Sequence, residues 1–433
     1  MVKEAGGRAF YVGGFVRDRL RGQESADYDV EVHGITPETL EAILDSLGER
    51  LEMGRSFGIY GLRGEDIDVA MPRTEHATGR GHRDFQVFVD PFIGYEKAAK
   101  RRDFTVNAMM EDVLTGEVLD FYGGREDLKN GVLRHVSEET FTEDPLRVLR
   151  LAQFAARFGF SVAPETAALC RTVALAPLTR ERVFEETKKA LTKAEKPSVY
   201  FEVLRSVGQL HDFYPEIEAL IDVPQPPVHH AEGDVWNHTM MVLDEAAKLR
   251  SRAENPVGFL FSALVHDLGK AVVTTTEEDG RIRSIGHEKK GLPLVTRFLS
   301  RLTDDKSLTA YVKNMTALHM RPNELASQNS KEKATNKLFD EAVSPADLVL
   351  LAVADGLGKL PPSSNEAFLL ERLSFYRETV ARPAVTGKDL IDAGLKPGER
   401  FSELLAYAHK LHLSGVDKET ALKQTLTFAQ KKK

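Results

Sequence analysis

The chain has 433 residues, too many for one ordinary domain and enough for about two to four. Hydrophobic residues make up 42% and charged residues 29%, a balance that can bury real cores, while a net charge of -8 excludes a uniformly basic nucleic-acid coat. A single cysteine, Cys170, excludes an internal disulfide framework and any multi-cysteine zinc or iron–sulfur site, and points to a reducing cytoplasm.

The N-terminus opens on charged residues (Lys3, Glu4, Arg8) without the apolar core of a signal peptide. Residues 9–12 and 27–32 are short strand candidates, separated by a Gly13-Gly14 turn and the start of a helix at 15–20. Thr36 followed by Pro37 is an N-cap with proline at the first helical position, and it starts a helix over 36–47. Residues 59–62, 66–70, 85–89 and 116–121 read as further strands, which makes the first 135 residues a mixed α and β region. From Pro145 the helical period dominates: Leu146, Leu149, Ala152, Ala156 and Phe160 approximate one apolar stripe, and 164–173, 182–191 and 197–206 continue as helices. Pro224, Pro226 and Pro227 mark a boundary near 223. Helices are then expected near 237–249, 257–267, 291–302, 308–319 and 346–355, with two short ones in the tail at 387–393 and 398–413. The apolar stretch 257–265 is too short to cross a bilayer, so no membrane association is expected, and no obligate protein partner is evident.

Chemistry concentrates first around the glycine turn. Gly13-Gly14 followed by Arg17-Asp18 puts exposed backbone amides where a phosphate can sit. Asp27 and Asp29 are two apart, so on a strand their carboxylates share a face and repel, and a divalent cation relieves that repulsion. Mg²⁺ takes oxygen ligands of this kind together with substrate phosphates, and Asp68 on a neighbouring strand is a candidate third carboxylate. Arg101-Arg102-Asp103 sets two guanidiniums beside an acid, and the arginine fork suits a triphosphate. Asp144 is a good N-cap ahead of Pro145, yet Asp144 and Arg147 also lie at i, i+3, where one acceptor and several donors can meet a base edge. Arg150 follows one turn later.

Gly13-Gly14-Phe15-Val16-Arg17-Asp18, Asp27-Tyr28-Asp29, the run from Arg101 to Asn107, and Glu143-Asp144-Pro145-Leu146-Arg147 with Arg150 occur in the order of class II tRNA nucleotidyltransferases. The chain resembles these CCA-adding enzymes closely over about residues 10–220. The resemblance implies an α+β fold class. Its parts would be an N-terminal nucleotidyltransferase head of the polymerase beta-like kind with a mixed β-sheet (1–135), an all-α neck (136–222), a helical HD domain (223–370) and a helical tail (371–433). It implies addition of CCA to the tRNA 3′ end from CTP and ATP without a nucleic-acid template. Asp27 and Asp29 would hold two Mg²⁺ ions, one activating the RNA hydroxyl and one clamping the triphosphate, with Asp68 as base or orienter. Gly13, Gly14, Arg17 and Asp18 would form the nucleotide turn, while Arg102, Asp103 and Asn107 would hold ribose and triphosphate. Asp144 and Arg147, with Arg150, would read the base, and Arg180 and Arg182 match a later supporting motif. Poly(A) polymerases share these motifs, so poly(A) addition and partial addition of CC or A alone are the alternative readings. A full loop with Gly79, Gly81 and Phe85 speaks against a CC-only enzyme.

The second concentration is histidine-rich: six of 13 histidines fall between His229 and His319. His266-Asp267 lies beside Phe259, Leu260, Leu264 and Val265, where only a metal or a tight hydrogen-bond network makes such a polar pair tolerable. His238, His266-Asp267 and Asp355, in this order, resemble the HD phosphohydrolase superfamily, and His287 and His319 lie where some members place further ligands. That resemblance implies a bound divalent metal and phosphatase or 2′,3′-cyclic phosphodiesterase activity, with Lys270 facing a phosphate. The imidazole-rich set suits a transition ion such as Ni²⁺, Mn²⁺ or Co²⁺. A chain acting chiefly as an HD-type nucleotide phosphohydrolase is the reading from a different class, and intact Asp27, Asp29 and Arg102 speak against it.

Overall fold

The computed structural model describes residues 1–23, 28–54, 58–77, 85–228 and 230–431. Asp27 and the glycines at 79 and 81 therefore lie outside the described residues. The chain divides into two compact units, Met1–Ala190 with Val199–Asp212, and Leu191–Ser198 with Phe213–Lys433.

Among its described residues the first unit carries eleven strands: β1 (Arg8–Val12), β2 (Tyr28–His33), β3 (Arg50–Gly54), β4 (Ile59–Leu62), β5 (Ile67–Ala70), β6 (Arg73–Ala77), β7 (Phe85–Val89), β8 (Met110–Asp112), β9 (Val118–Leu119) and the short parallel pair β10 (Val132–Leu133) and β11 (Ser161–Val162). Seven of them form one sheet in the order β3-β4-β5-β2-β1-β8-β9, and β6 pairs with β7 in a separate hairpin. The β2–β5 pair is parallel and its register sets Asp29 opposite Asp68. Strand alternation explains which face of β2 does what. Val30 and Val32 pack with Leu40 and Leu44 of the helix Pro37–Leu47, while Asp29, Glu31 and His33 take the other face. Thr36 caps that helix as expected, its hydroxyl accepting the Thr39 amide. Gly13, with φ 67°, turns β1 into the helix Gly14–Leu20. A Cβ there would stand 3.3 Å from Arg102 Nη1, so glycine serves both the left-handed turn and the close approach.

The helix Leu146–Phe158 buries Leu146, Leu149, Ala152 and Ala156 as the stripe requires, but Gly159 in the left-handed conformation ends it before Phe160. The strand expected over 116–121 is only Val118–Leu119, because Asp120 turns to accept the Gly124 and Arg125 amides and opens the helix Gly124–Asn130. Strands β3, β6 and β8 fall outside the sequence reading: β3 alternates but is short and runs into Gly54, β6 is polar over most of its length, and β8 has three residues.

The second unit is almost wholly helical around Trp236, Phe259, Phe261, Phe298 and Phe339, all fully buried. The helix Pro256–Val265 stops one residue before His266, which is its C-cap, so His266 and Asp267 sit in the turn that follows rather than in the helix. The stretch Pro256–Val273 is long and apolar enough to cross a membrane by length and composition only, a test that core helices also pass, and 67% of it is buried inside the fold. After residue 383 the described residues form three helices instead of two, Gly387–Asp392, Phe401–Leu413 and Lys418–Lys431. Lys418–Lys431 was missed because its buried face is carried by the small or polar Ala421, Thr425 and Ala429, spaced four apart.

Gly269 lets the turn after His266 touch the start of the helix His287–Lys290: a Cβ on it would stand 2.0 Å from the His287 carbonyl oxygen. Gly269→Ala must push the two segments apart. Overpacking of this kind costs about 1–3 kcal/mol, which a lowered thermal unfolding midpoint will report, with the loss confined to the second unit.

Candidate functional site

In the first unit a cavity of about 660 Å³ is lined by Gly13, Gly14, Arg17, Asp18, Asp29, Arg102, Asp103, Asn107, Asp144, Arg147, Arg150 and Arg182. An adjoining one of about 310 Å³ shares Asp29, Arg101, Arg102 and Arg147 and adds Asp68, Glu31 and Arg73. The residues singled out in sequence thus converge, with two exceptions. Asp27 lies outside the described residues, and Arg180 pairs with Glu181 and is not among the described lining residues.

Their hydrogen bonds sort them into two kinds. Arg17 is buried, and its guanidinium grips Asp18 through Nε (2.9 Å) and Nη2 (2.8 Å) while Nη1 donates to Asn107 Oδ1 at 2.7 Å. Asn107 Nδ2 donates to Asp103 Oδ1 at 2.9 Å, and Arg150 donates through Nε to Asp103 Oδ2 at 2.8 Å. Arg17, Asp103, Asn107 and Arg150 form one continuous buttress under the cavity. Burial opposes ionisation of Asp103, but the Arg150 charge, with the Asn107 and Phe104 hydrogen bonds, outweighs it and holds the carboxyl below its usual range.

Asp144 is held from both sides: the Leu146 amide donates to Oδ1 at 3.1 Å, in the manner of a cap, and Arg182 Nη2 reaches Oδ2 at 2.9 Å. The Arg147 guanidinium does not pair with the Asp144 carboxylate, although its backbone amide donates to the Asp144 carbonyl at 3.0 Å. Its Nη1 donates to the Thr140 carbonyl at 2.7 Å and its Nη2 to the Arg101 carbonyl at 2.6 Å. Those two carbonyls fix the guanidinium plane beside the cavity.

Sequence reasoning passed over Glu31. Its Oε2 accepts from Arg102 Nη2 at 3.0 Å and its Oε1 lies 2.9 Å from His33 Nε2. The signal was present in the alternation Asp29, Glu31, His33 along β2.

The second unit brings all six expected metal-type residues together. His238, His266 and Asp355 form one cluster, Asp267, His287 and His319 another, with the ligand atoms of each within 4.8 Å. His266 Nδ1 lies 2.8 Å from the Ala263 carbonyl, His287 Nδ1 2.9 Å from that of Ser284 and His319 Nδ1 2.7 Å from that of Thr316. A carbonyl only accepts, so each Nδ1 carries the proton and each Nε2 turns inward. His266 Nε2 stands 3.4 Å from His238 Nε2, and His287 Nε2 3.3 Å from His319 Nε2. Asp267 lies between the clusters, with Oδ2 3.3 Å from His266 Nε2 and Oδ1 3.1 Å from His287 Nε2. Neither of its oxygens meets hydrogen-bond geometry with a described residue, although Lys270 Nζ pairs with Oδ2 at 2.7 Å. Lys270 thus faces inward, and it also donates to Gln225 Oε1 at 2.9 Å. Burial opposes a charge on His238, yet hydrogen bonds to Asp355 and Glu232 prevail and hold its pKa up to about 9.

Glu232 is the residue missed here. It accepts from the Leu360 amide at 2.8 Å, and its Oε1 lies 2.7 Å from His230 Nδ1 and 3.2 Å from His238 Nδ1. Burial favours its protonated form, but hydrogen bonds from His238 and His230 pull it down to about 2.

Comparison with known proteins agrees with this layout. Residues 9–134 match the poly A polymerase head domain, 159–221 the probable RNA and SrmB-binding site of polymerase A, and 235–359 the HD domain. The multifunctional CCA protein of Actinobacillus pleuropneumoniae serotype 5b is 37% identical over 384 residues, 86% of this chain and 91% of the relative. That of Acinetobacter baumannii ATCC 17978 is 41% identical over 303 residues, 68% of this chain and 70% of the relative. Among solved structures, the Thermotoga maritima CCA-adding enzyme complexed with tRNA-CCA has a TM-score of 0.66 at 21% identity, covering 99% of this chain and 92% of its own. The Bacillus stearothermophilus CCA-adding enzyme in complex with CTP has a TM-score of 0.67 at 21% identity, covering 100% and 96%. At that identity the structures establish a shared fold.

The Asp103 buttress has a pH signature. Its carboxyl is held below the ordinary value of 3.8 in the folded protein, so it stabilises above that value, and the benefit fades as pH falls through the depressed pKa. Asp103→Asn is expected to cost about 3 kcal/mol at neutral pH by leaving Arg150 uncompensated. Denaturant melts of both proteins from pH 8 to pH 3 should show a constant gap down to about pH 4 and a shrinking one below it.

Proposed function

Because the chain belongs to the family of multifunctional CCA proteins, the CCA-adding tRNA nucleotidyltransferases, we propose a division of labour in which its first unit builds the tRNA 3′ end and its second hydrolyses phosphoesters. The carrying observation is that the glycine turn, Asp29, the arginine fork, Asp144 and Arg147 meet around one cavity, with Asp68 in the adjoining one. The protein extends tRNA with CTP and ATP, which places its work in the cytoplasm. In this reading residues 1–135 carry nucleotidyl transfer, 136–222 base selection and tRNA contact, 223–370 hydrolysis, and 371–433 a helical tail.

Asp29 and Asp68, opposite each other on parallel strands, offer an all-oxygen donor set that suits Mg²⁺, and Asp27 would complete it. Mg²⁺ there supplies charge neutralisation at the triphosphate and acidity for the attacking hydroxyl. Asp68 orients the RNA 3′-hydroxyl and accepts its proton as the oxygen bonds to the α-phosphorus and pyrophosphate leaves. Arg102 holds the triphosphate over the Gly13 turn, and the Asp103–Asn107–Arg17 buttress keeps the ribose side of the cavity rigid. Asp144 accepts from the exocyclic amine of cytosine or adenine while Arg147 donates to the adjacent ring nitrogen. Uracil and guanine invert that pattern and leave both groups unsatisfied.

In the second unit the inward Nε2 atoms and the buried Asp267 carboxylate, which Lys270 meets in an ion pair, fit a divalent transition ion, which His238, His266, Asp267 and Asp355 with His287 and His319 would hold. Such an ion supplies Lewis acidity to a water and to a phosphoester. Lys270 stands ready to exchange its Asp267 partner for a phosphate oxygen.

Labelled CTP and ATP, singly and together, on tRNA transcripts ending before CCA, at CC and at CCA test the first unit. Two C additions, one A and a stop are expected, whereas long A tails on unrelated RNA would sink this assignment. Asp29→Ala should lower addition by about 10³-fold. Asp144→Ala should cut discrimination against UTP by about ten- to a hundredfold. Asp267→Asn should abolish hydrolysis of 2′,3′-cyclic AMP supplied with Ni²⁺ and leave CCA addition unchanged. Hydrolysis that persists in Asp267→Asn would remove the second-unit assignment.

A further inference from the structure

We propose that Glu31 is a positioning residue that holds the Arg102 guanidinium in its triphosphate-binding pose over the Gly13 turn. The proposal rests on the reading of Arg102 as a triphosphate ligand and adds the residue that keeps it there.

Four observations converge. Glu31 follows Asp29 by two positions on β2, so its side chain rises on the same face as the carboxylate and lines the same cavity. Its Oε2 accepts from Arg102 Nη2 at 3.0 Å. Arg102 Nη1 lies over the backbone of Gly13, 3.3 Å from where a Cβ would stand, and Asp29 Oδ2 lies 3.5 Å from the same point. The guanidinium is thereby fixed among Glu31, Gly13 and Asp29, with one nitrogen committed to Glu31 and the other directed to the turn.

Glu31 is itself held. Its Oε1 lies 2.9 Å from Nε2 of His33, which is buried edge-on against Phe10 and Tyr95 with ring centroids at 5.6 and 5.0 Å. That ring cannot swing away without opening the cluster of Phe10, Val12, Ala99 and Met110 on which it lies. The relay therefore runs from a rigid imidazole through a carboxylate to the arginine. The shielding of Glu31 argues in the same direction: its side chain is only 12% exposed, an acid placed there without a partner is costly, and the Arg102 and His33 contacts offset that cost.

A long arginine side chain left to itself samples many rotamers, and restricting them before the nucleotide arrives removes an ordering cost from binding. The benefit is independent of the base, because both nucleotides bring the same triphosphate. Glu31 is thus expected to act on CTP and ATP alike and to leave base choice alone, unlike Asp144.

The test is steady-state incorporation of CTP on tRNA lacking CCA and of ATP on tRNA ending in CC, with the full chain carrying Glu31→Gln, Arg102→Ala or both. Glu31→Gln is expected to raise KM for both nucleotides in parallel by about three- to tenfold. It should leave kcat within about twofold and discrimination against UTP unchanged. On the Arg102→Ala background it should add nothing. Glu31→Asp, which keeps the charge and shortens the reach, should fall between wild type and Glu31→Gln and serves if the latter does not fold. An unchanged KM in Glu31→Gln beside a raised KM in Arg102→Ala would overturn the proposal and spare the Arg102 reading. An unchanged KM in Arg102→Ala would overturn both. A KM effect of Glu31→Gln that persists undiminished without Arg102, or a shift in the Mg²⁺ requirement in its place, would show that Glu31 acts by another route.

Discussion

The parallel pairing of β2 with β5 is the constraint from which the nucleotide site follows. It sets Asp29 opposite Asp68 on adjacent strands, close enough for the two carboxylates to repel. Such a pair persists only where positive charge is supplied nearby, and Arg73, Arg101, Arg102 and Arg147 line the same cavity. They come from segments far apart in sequence, so the fold supplies the compensation that strand geometry demands. Val30 and Val32, between the acidic positions, anchor β2 to the helix behind it, and the alternation makes anchoring and chemistry separable.

The two candidate sites use different donor chemistry for physical reasons. The first offers carboxylates and guanidiniums at an open cavity, which suits a hard cation shared with a triphosphate. The second is buried and nitrogen-rich. Its histidines are pre-aimed by i to i−3 hydrogen bonds from Nδ1 to backbone carbonyls, so the tautomer is chosen before any ion arrives. Glu232 extends this logic to His238, whose Nδ1 contacts are not a carbonyl three residues back but Gly358 and Glu232.

Several residues around the first cavity act on other protein groups rather than on its interior. Arg150, Asn107 and Arg17 stiffen Asp103, and Arg182 steadies Asp144. Arg147 is anchored by two backbone carbonyls, so its reach toward a base edge is set by the helix Glu138–Glu143, which carries Thr140, and by the Arg101 backbone. Selectivity then rests on a rigid frame, which is what rejection of an inverted donor–acceptor pattern needs.

The sequence by itself determined the local devices. Thr36-Pro37 and Gly13-Gly14 are short-range signals whose physics lies within a few residues, and they appear where expected. Pro145 falls one position earlier than expected, as the N-cap of the helix Leu146–Phe158 rather than its first residue, with Asp144 closing the helix before it. The ordered motifs likewise named Asp29, Arg102, Asp103, Asn107, Asp144 and Arg147, all of which reach one cavity. Tertiary structure alone decided which of these touch each other. That Arg102 meets Glu31, that the Asp144 carboxylate meets Arg182 rather than the Arg147 guanidinium, and that Glu232 stands behind His238 are contacts set by sheet register and loop packing. The polar strand Arg73–Ala77 and the helix Lys418–Lys431 were illegible for the same reason: their stability comes from packing partners, which no local pattern of polarity encodes.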